Sequence, residues 1–493
     1  MRKVIVVLTF LLLSVSNSQA GNQKVLYSFT GGLDGGQPYA GVIFDPAGNL
    51  YGVTRYGGIY NQGTVFELSP APGGTWTETV LYNFTGGEDG SQPVGGLATD
   101  GAGDLYGTAS LGGTNNDGCG TVFQLNASGV FGVLHTFSDL TGDGCQPQAD
   151  LNLIDGNIYG TTIYGGGPHE PGTVFTLGPG VYVSRPFRAT ESTFPNGLGV
   201  FGNGATYGTT LMGGKPAAGN VFELSWPMKS THIFALTSTE GVNPVGDLAT
   251  QVNANGVRIM YGATSNGASG RSGAIYQLTE SQYRADIWAI SLLHSFSGAD
   301  GANPAAGVIL DTVGNLYGTT SRGGANPGYD GTVFKLTPSA NNTWIYTLLY
   351  SFSGGVDGGK PVSTLVLDNT ANIYGTTVQG GIYNQGVVYQ VTPPAATTIT
   401  LTGSPNPSSH KQAVNFNVVV ASSAGTPPDG ELVTLLSGKK VLAAALLTGG
   451  TANFVISTLP VGTHSIVAVY DGDLNFSAGA SNVVAQVVLK ATN

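Results

Sequence analysis

The chain has 493 residues and a formal charge of −11, and only 10% of its residues are charged. An acidic surface poor in Lys and Arg argues against nucleic acid or an anionic membrane as partner. Seventy-eight glycines accompany 41% hydrophobic residues, 22 Tyr and 20 Phe, which excludes simple disorder and points to a packed β protein rich in tight turns.

At the N-terminus, Arg2 and Lys3 precede the apolar run Val4 to Leu13, and Ser18-Gln19-Ala20 places small residues at −3 and −1. This reads as a signal peptide over residues 1–20, cleaved after Ala20. The run is too short to span a bilayer. Gly21, not Cys, follows the cleavage site, so no lipid anchor is expected there. Loss of Arg2 and Lys3 takes the charge to −13, and the mature chain is expected to be soluble and exported to the periplasm, the cell surface or the medium.

From residue 21 to 392 one unit recurs seven times. Its Tyr-Gly pairs begin at Tyr51, Tyr106, Tyr159, Tyr207, Tyr261, Tyr317 and Tyr374, at spacings of 55, 53, 48, 54, 56 and 57. Each pair is followed by a loop that usually carries Gly-Gly, then by a strand of the GTVFKL type starting at Gly63, Gly120, Gly172, Asn220, Gly273, Gly331 or Gly386. A last strand of the LYSF type ends in Phe29, Phe84, Phe137, Phe187, Phe234, Phe296 or Phe352. With the GVIFD strand in front, a copy holds four short β-prone runs bounded by Gly, Asp, Asn and Pro. Four strands in about 50 residues is the size of a β-propeller blade.

The two ends sharpen the count. The first LYSF strand, Val25 to Phe29, precedes any complete unit, and the seventh unit stops at Val391 without one. Seven complete blades therefore require the N-terminal strand to finish the last, which leaves no free terminal edge. The expected fold is an all-β seven-bladed β-propeller, with an open β-solenoid as the alternative. Copies four and five, around Phe187 and Tyr261, depart most from the pattern. Residues 393–397 form a Pro-rich linker. From 398 to 493 aromatics nearly vanish, and alternating Val/Thr/Ala/Ser runs without Cys suit a small antiparallel sandwich.

The units LYGTT, GG, GTVFKL and LYSF followed by GGVDGGKP, as at Leu316 to Pro361, resemble the bacterial tandem repeat called GloVer, found in exported proteins that differ in their C-terminal anchor. The tail resembles bacterial Ig-like repeat domains through Thr398 to Leu401, Ser404 to Ser408, Leu459 to His464 and Tyr470 to Phe476. Neither resemblance implies an established reaction or catalytic residue. The chain ends at Lys490 to Asn493 without the sorting motif or hydrophobic tail of anchored members.

Strand order puts the Gly-Gly loops and the inter-blade loops on one face, where Asp34, Asp89, Asp143, Glu240, Asp300 and Asp357 recur. They could ring one mouth and hold Ca²⁺ or a polyhydroxylated ligand, or simply make the turns between blades. Trp76, Trp226, Trp288 and Trp344 each stand eight residues before the LYSF phenylalanine, at the hairpin on the opposite face. They suit sugar stacking or bracing of the hairpin. His135, His232 and His294 fall where Tyr27, Tyr82 and Tyr350 stand in other copies, so they are repeat positions, not a metal trio. No catalytic or nucleotide-binding motif is found. Cys119 and Cys145 are expected to form a disulfide in an exported chain. The sequence reading is a non-catalytic binding or scaffold protein for extracellular glycan or protein. Its alternatives are a secreted carbohydrate-active enzyme with carboxylates at one mouth, or a structural envelope component. Activity must sit where the copies differ.

Overall fold

A computed structural model describes residues 21–490, except 115–116, 140–141, 168–170, 188–191, 202–204, 214–217, 226–228, 284–286, 327, 329 and 340–342; residues 192, 225 and 229–233 are described by backbone alone. The expected signal peptide, Trp226 and His169 therefore lie outside the described residues. Two compact units are present: Gln23–Thr392, and Pro393–Asn493 with the residues up to Asn22.

The first unit is all-β. Its described residues form seven sheets, six of four strands and one, the third, of five. The sixth is typical, with Ile309–Leu310, Leu316–Thr320, Thr332–Pro338 and Trp344–Ser351 in antiparallel order. The third departs from the expected four because Cys145–Pro147 and Asn152–Ile154 both pair with Asn157–Tyr164. In the seventh, Asn22–Ser28 lies beside Val387–Thr392, so the N-terminal strand completes the last sheet as its ends require.

Local chemistry explains the repeated letters. In the sixth sheet the Phe334 ring lies across Gly318, where an added Cβ would stand 2.6 Å from Cζ; hence Tyr-Gly in the second strand. The Tyr317 hydroxyl donates to Asp311, whose carboxylate also accepts from the Val313 and Asn315 amides, closing the hairpin. Six of the seven LYSF phenylalanines pack edge-on against the third-strand aromatic of the next sheet. Phe29–Phe66, Phe84–Phe123, Phe137–Phe175, Phe187–Phe222, Phe296–Phe334 and Phe352–Tyr389 stand 4.9–5.3 Å apart with interplanar angles of 63–67°. Such T-shaped pairs add to the burial of fully enclosed rings.

The fourth copy needs a correction. Its core residue is Leu236, fully buried, whose amide donates to Gly219 just as Phe352 donates to Gly331; Phe234 is two positions early and only partly buried. Copies four and five are nonetheless complete sheets. They are tied by Arg258, which bonds Glu280 and the Tyr207 hydroxyl and lies 5.6 Å from the Trp288 ring.

One junction recurs between successive sheets. The residue before each copy's proline has left-handed φ of 52–59°, at Gln37, Gln92, Gln146, Phe194, Asn243, Asn303 and Lys360. Its amide donates at 2.7–3.0 Å to a carbonyl of the preceding sheet, on Gln385, Gln62, Cys119, Pro171, Ala218, Ser272 and Asp330 respectively. The proline ring then lies on the glycine that opens the neighbouring third strand. At Gly331, with φ +100°, a Cβ would stand 2.7 Å from Pro361 Cδ and 2.2 Å from the Thr320 carbonyl oxygen. Gln37 to Gln385 joins the seventh sheet to the first, so the series returns to its start. The Cys119–Cys145 disulfide, with Cα atoms 4.4 Å apart, crosses the junction between sheets two and three. Closing a loop of this length stabilises by roughly 3 kcal/mol.

The second unit contains a three-stranded sheet (Thr398–Ser404, Val414–Ala421, Thr451–Ile456) and a six-stranded sheet that includes Leu432–Ser437, Gly462–Tyr470 and Val484–Leu489. Alternate residues such as Val414, Phe416, Val418 and Val420 are buried, and they share one core with Leu435, Ile466 and Tyr470. That period of two is the mark of a sheet with one dry face.

The junction makes a prediction. Gly331→Ala combines left-handed strain with a backbone clash and should destabilise by about 3 kcal/mol in chemical denaturation. Gly48→Ala, at φ +90° with nothing within 4 Å of its Cβ, should lose only about 1 kcal/mol. Equal losses would contradict the packing argument.

Candidate functional site

The loops carrying the six acidic residues are built from their own hydrogen bonds. Asp357 accepts from the Ser353 amide at 2.9 Å, from the Ser353 hydroxyl and from Tyr350 Oη at 2.9 Å. Asp34 and Asp89 repeat this set with Thr30 and Tyr27, and with Thr85 and Tyr82. Asp300 and Asp143 take His294 and His135 Nε2 at 2.8 and 2.9 Å in place of the tyrosine hydroxyl. Glu240 accepts from the amide and hydroxyl of Thr237. Histidine and tyrosine thus alternate at one repeat position because either can donate to the turn carboxylate. Burial acts to raise Asp300, but the bonds from His294 and Ser297 outweigh it and hold its carboxyl below the ordinary range.

The described tryptophans are braces between strands. Trp288 is buried against Tyr207, Trp344 packs on Tyr261, and the half-buried Trp76 joins a core with Phe44 and Tyr374.

Exposed apolar groups lie elsewhere on the loop face. The heptapeptide GGIYNQG occurs at 57–63 and again at 380–386, in the first and seventh sheets. In both copies Asn (61 or 384) accepts from a loop amide, and the Ile amide is held by Asn83 or Ser28. The loops continue into each other through Gly58 to Gly32, Gln37 to Gln385 and Gly381 to Gly355 hydrogen bonds. On these four joined loops Leu33, Val356 and Ile382 are each 71% exposed, Ile59 is 64%, and Tyr60 and Tyr383 are 55%. Fixed backbones therefore hold six large apolar side chains in water. Sequence reasoning missed them, although the duplicated heptapeptide was visible.

Beneath this face lies Glu78, six residues before Phe84. Counterparts in other copies are Tyr182, Tyr346 and Gln23, which donate to the main-chain oxygens of Asp143, Asp300 and Asp357. Glu78 cannot donate when ionised, and its buried Oε1 has no hydrogen-bond partner among the described residues. Burial, with the Asp34 charge beside it, pushes the carboxyl up to about 7. The protonated acid is therefore the form the fold favours. Its contribution is complete below the unfolded value near 4.5 and is lost as pH rises through 7. Glu78→Gln keeps a donor and should flatten the fall in melting temperature between pH 5 and 8. Superimposable profiles for variant and parent would contradict this assignment.

Among the described residues no helix is long and apolar enough to cross a membrane. Residues 13–222, 119–289 and 259–439 match the Gloeobacter/Verrucomicrobia repeat, and residues 401–489 match a bacterial Ig-like domain (group 3). No curated protein is significantly similar. Among solved structures, an extracellular domain of B. thetaiotaomicron (BT4673) is 10% identical over 96% of this chain, with a TM-score of 0.46. The chain spans only 58% of that domain's length. YCF48 bound to D1 peptide is 12% identical, over 76% of this chain and 95% of its own, with a TM-score of 0.41. The GH43 endo-arabinanase from Bacillus licheniformis is 10% identical, over 51% and 95%, with a TM-score of 0.27. Likenesses this weak carry no functional argument. The repeat matches do settle kinship: the chain belongs to the Gloeobacter/Verrucomicrobia repeat family and carries a bacterial Ig-like domain near its C-terminus.

Proposed function

We propose that the chain is an exported, non-catalytic binding protein: a seven-bladed propeller with an Ig-like sandwich, presenting one loop face to an extracellular protein partner. The observation that carries this reading is the set Leu33, Ile59, Tyr60, Val356, Ile382 and Tyr383 on four joined loops. Exposed apolar side chains gathered on a rigid frame mark protein recognition more often than catalysis. The carboxylates expected to serve as acid and base are engaged within their own turns, which supports binding over the glycosidase alternative. The aliphatic members favour protein over glycan, for which flat aromatic platforms alone would serve. Export rests on the leader sequence read above.

The test is capture from an envelope and secreted fraction by the mature chain, run beside a glycan array and a polysaccharide hydrolysis assay. A single protein partner retained by the parent should be lost at least tenfold in a Tyr60→Ala/Tyr383→Ala variant with unchanged melting temperature. Retention on glycans alone, or release of reducing sugar, would overturn the reading in favour of its alternatives.

A further inference from the structure

A second site, independent of the loop face, lies in the middle of the seven sheets. A cavity of about 180 Å³ is lined by residues from all seven copies, among them Tyr39, Val94, Asp150, Asn196, Asp247 and Thr364. The residue three after each copy's proline is Gly41, Gly96, Asp150, Leu198, Asp247, Gly307 or Thr364, and four of these, Gly41, Asp150, Asp247 and Thr364, line the wall. Copies one, two and six keep glycine there because the walls touch. A Cβ on Gly41 would stand 2.3 Å from the Thr364 carbonyl oxygen, and one on Gly307 2.1 Å from that of Asp247. Copies three and five instead insert a carboxyl.

The two carboxyls are enclosed by the ring yet remain partly accessible from the cavity. Asp150 Oδ1 accepts from the Gly96 amide at 2.5 Å, and Oδ2 from Thr364 Oγ1, of the seventh copy, at 3.1 Å. Asp247 Oδ1 accepts from the Leu198 amide at 2.9 Å. Among the described residues, none donates to Asp247 Oδ2. Among the described residues, no Lys, Arg or His lines the cavity. Burial raises both carboxyls, and the Asp150 charge raises Asp247 further, so the pair lacks a compensating positive charge.

We infer that the axial cavity binds one hard, oxygen-seeking cation of the Ca²⁺ class between Asp150 and Asp247. Every polar side-chain group at the wall that can ligate is an oxygen of Asp, Ser, Thr, Tyr, Asn or Gln, the donor set such ions take, with water completing the shell. The cation would bridge copies three and five and, through Thr364, draw in copy seven. That makes it a staple across the ring, not a part of the loop-face reading.

The full mature chain, stripped with EDTA, is titrated with CaCl₂ by calorimetry and its melting temperature followed. One ion per chain should bind, and melting should rise by about 5 °C once calcium exceeds its Kd a hundredfold. Asp150→Asn/Asp247→Asn keeps both acceptors for Gly96 and Leu198, and should abolish binding and the shift together. If that variant fails to fold, the bound calcium per parent chain decides alone. No binding to the parent, or equal binding by a folded variant, overturns the site and leaves a shared proton as the reason for the pair.

Discussion

The arrangement depends on a strained residue placed before a proline. A non-glycine residue at φ near +55° costs about 1–2 kcal/mol, and proline normally steers its predecessor towards extended backbone. Seven times the chain accepts that penalty, and seven times the reward is the same. The turned amide reaches the preceding sheet, and the proline ring settles where only glycine leaves room. The strained donor and the carbonyl that accepts from it belong to neighbouring copies. An isolated copy would keep the strain and lose the bond.

This coupling explains how divergent copies remain in register. Copy four offers Leu236 where the others offer Phe, and copy five lacks the Gly-Gly loop, yet both retain the residue before proline with its bond. The second strand of copy five adds Arg258, held by Glu280 and Tyr207, with Trp288 of the outer strand 5.6 Å from its guanidinium. The hairpin of copy five keeps the closure seen around Asp311, with Asn253 accepting from the Asn255 and Val257 amides, and Arg258 adds a charged tie to copy four. Drift in one part of a copy is tolerated where a neighbouring contact takes over its role.

Much of the fold was legible because the repeat writes each contact seven times. Tyr317, Gly318, Phe334 and Phe352 each mark a core or hairpin contact, and the unmatched strand at Val25 to Phe29 gave the closure. Phe234 misled because a phenylalanine two positions early imitates the motif when alignment alone is used. The carboxylates Asp34 to Asp357 were found but not their partners: period and composition say nothing about whether an Asp faces its own turn or a ligand. Asp150 and Asp247 escaped notice for the converse reason. They differ from glycine at a position whose meaning, the wall of a cavity shared by all seven copies, exists only once the ring is assembled. Ile59, Tyr60, Ile382 and Tyr383 were hidden likewise, since adjacency of the first and seventh copies is a product of closure.

Closure is therefore the central claim, and amide hydrogen exchange resolved to single residues tests it most directly. The account predicts that the Gln37 amide, which joins the last sheet to the first, is protected as strongly as its six counterparts from Gln92 to Lys360. Rapid exchange at Gln37 beside slow exchange at the other six would mean an open arc of sheets and would contradict it.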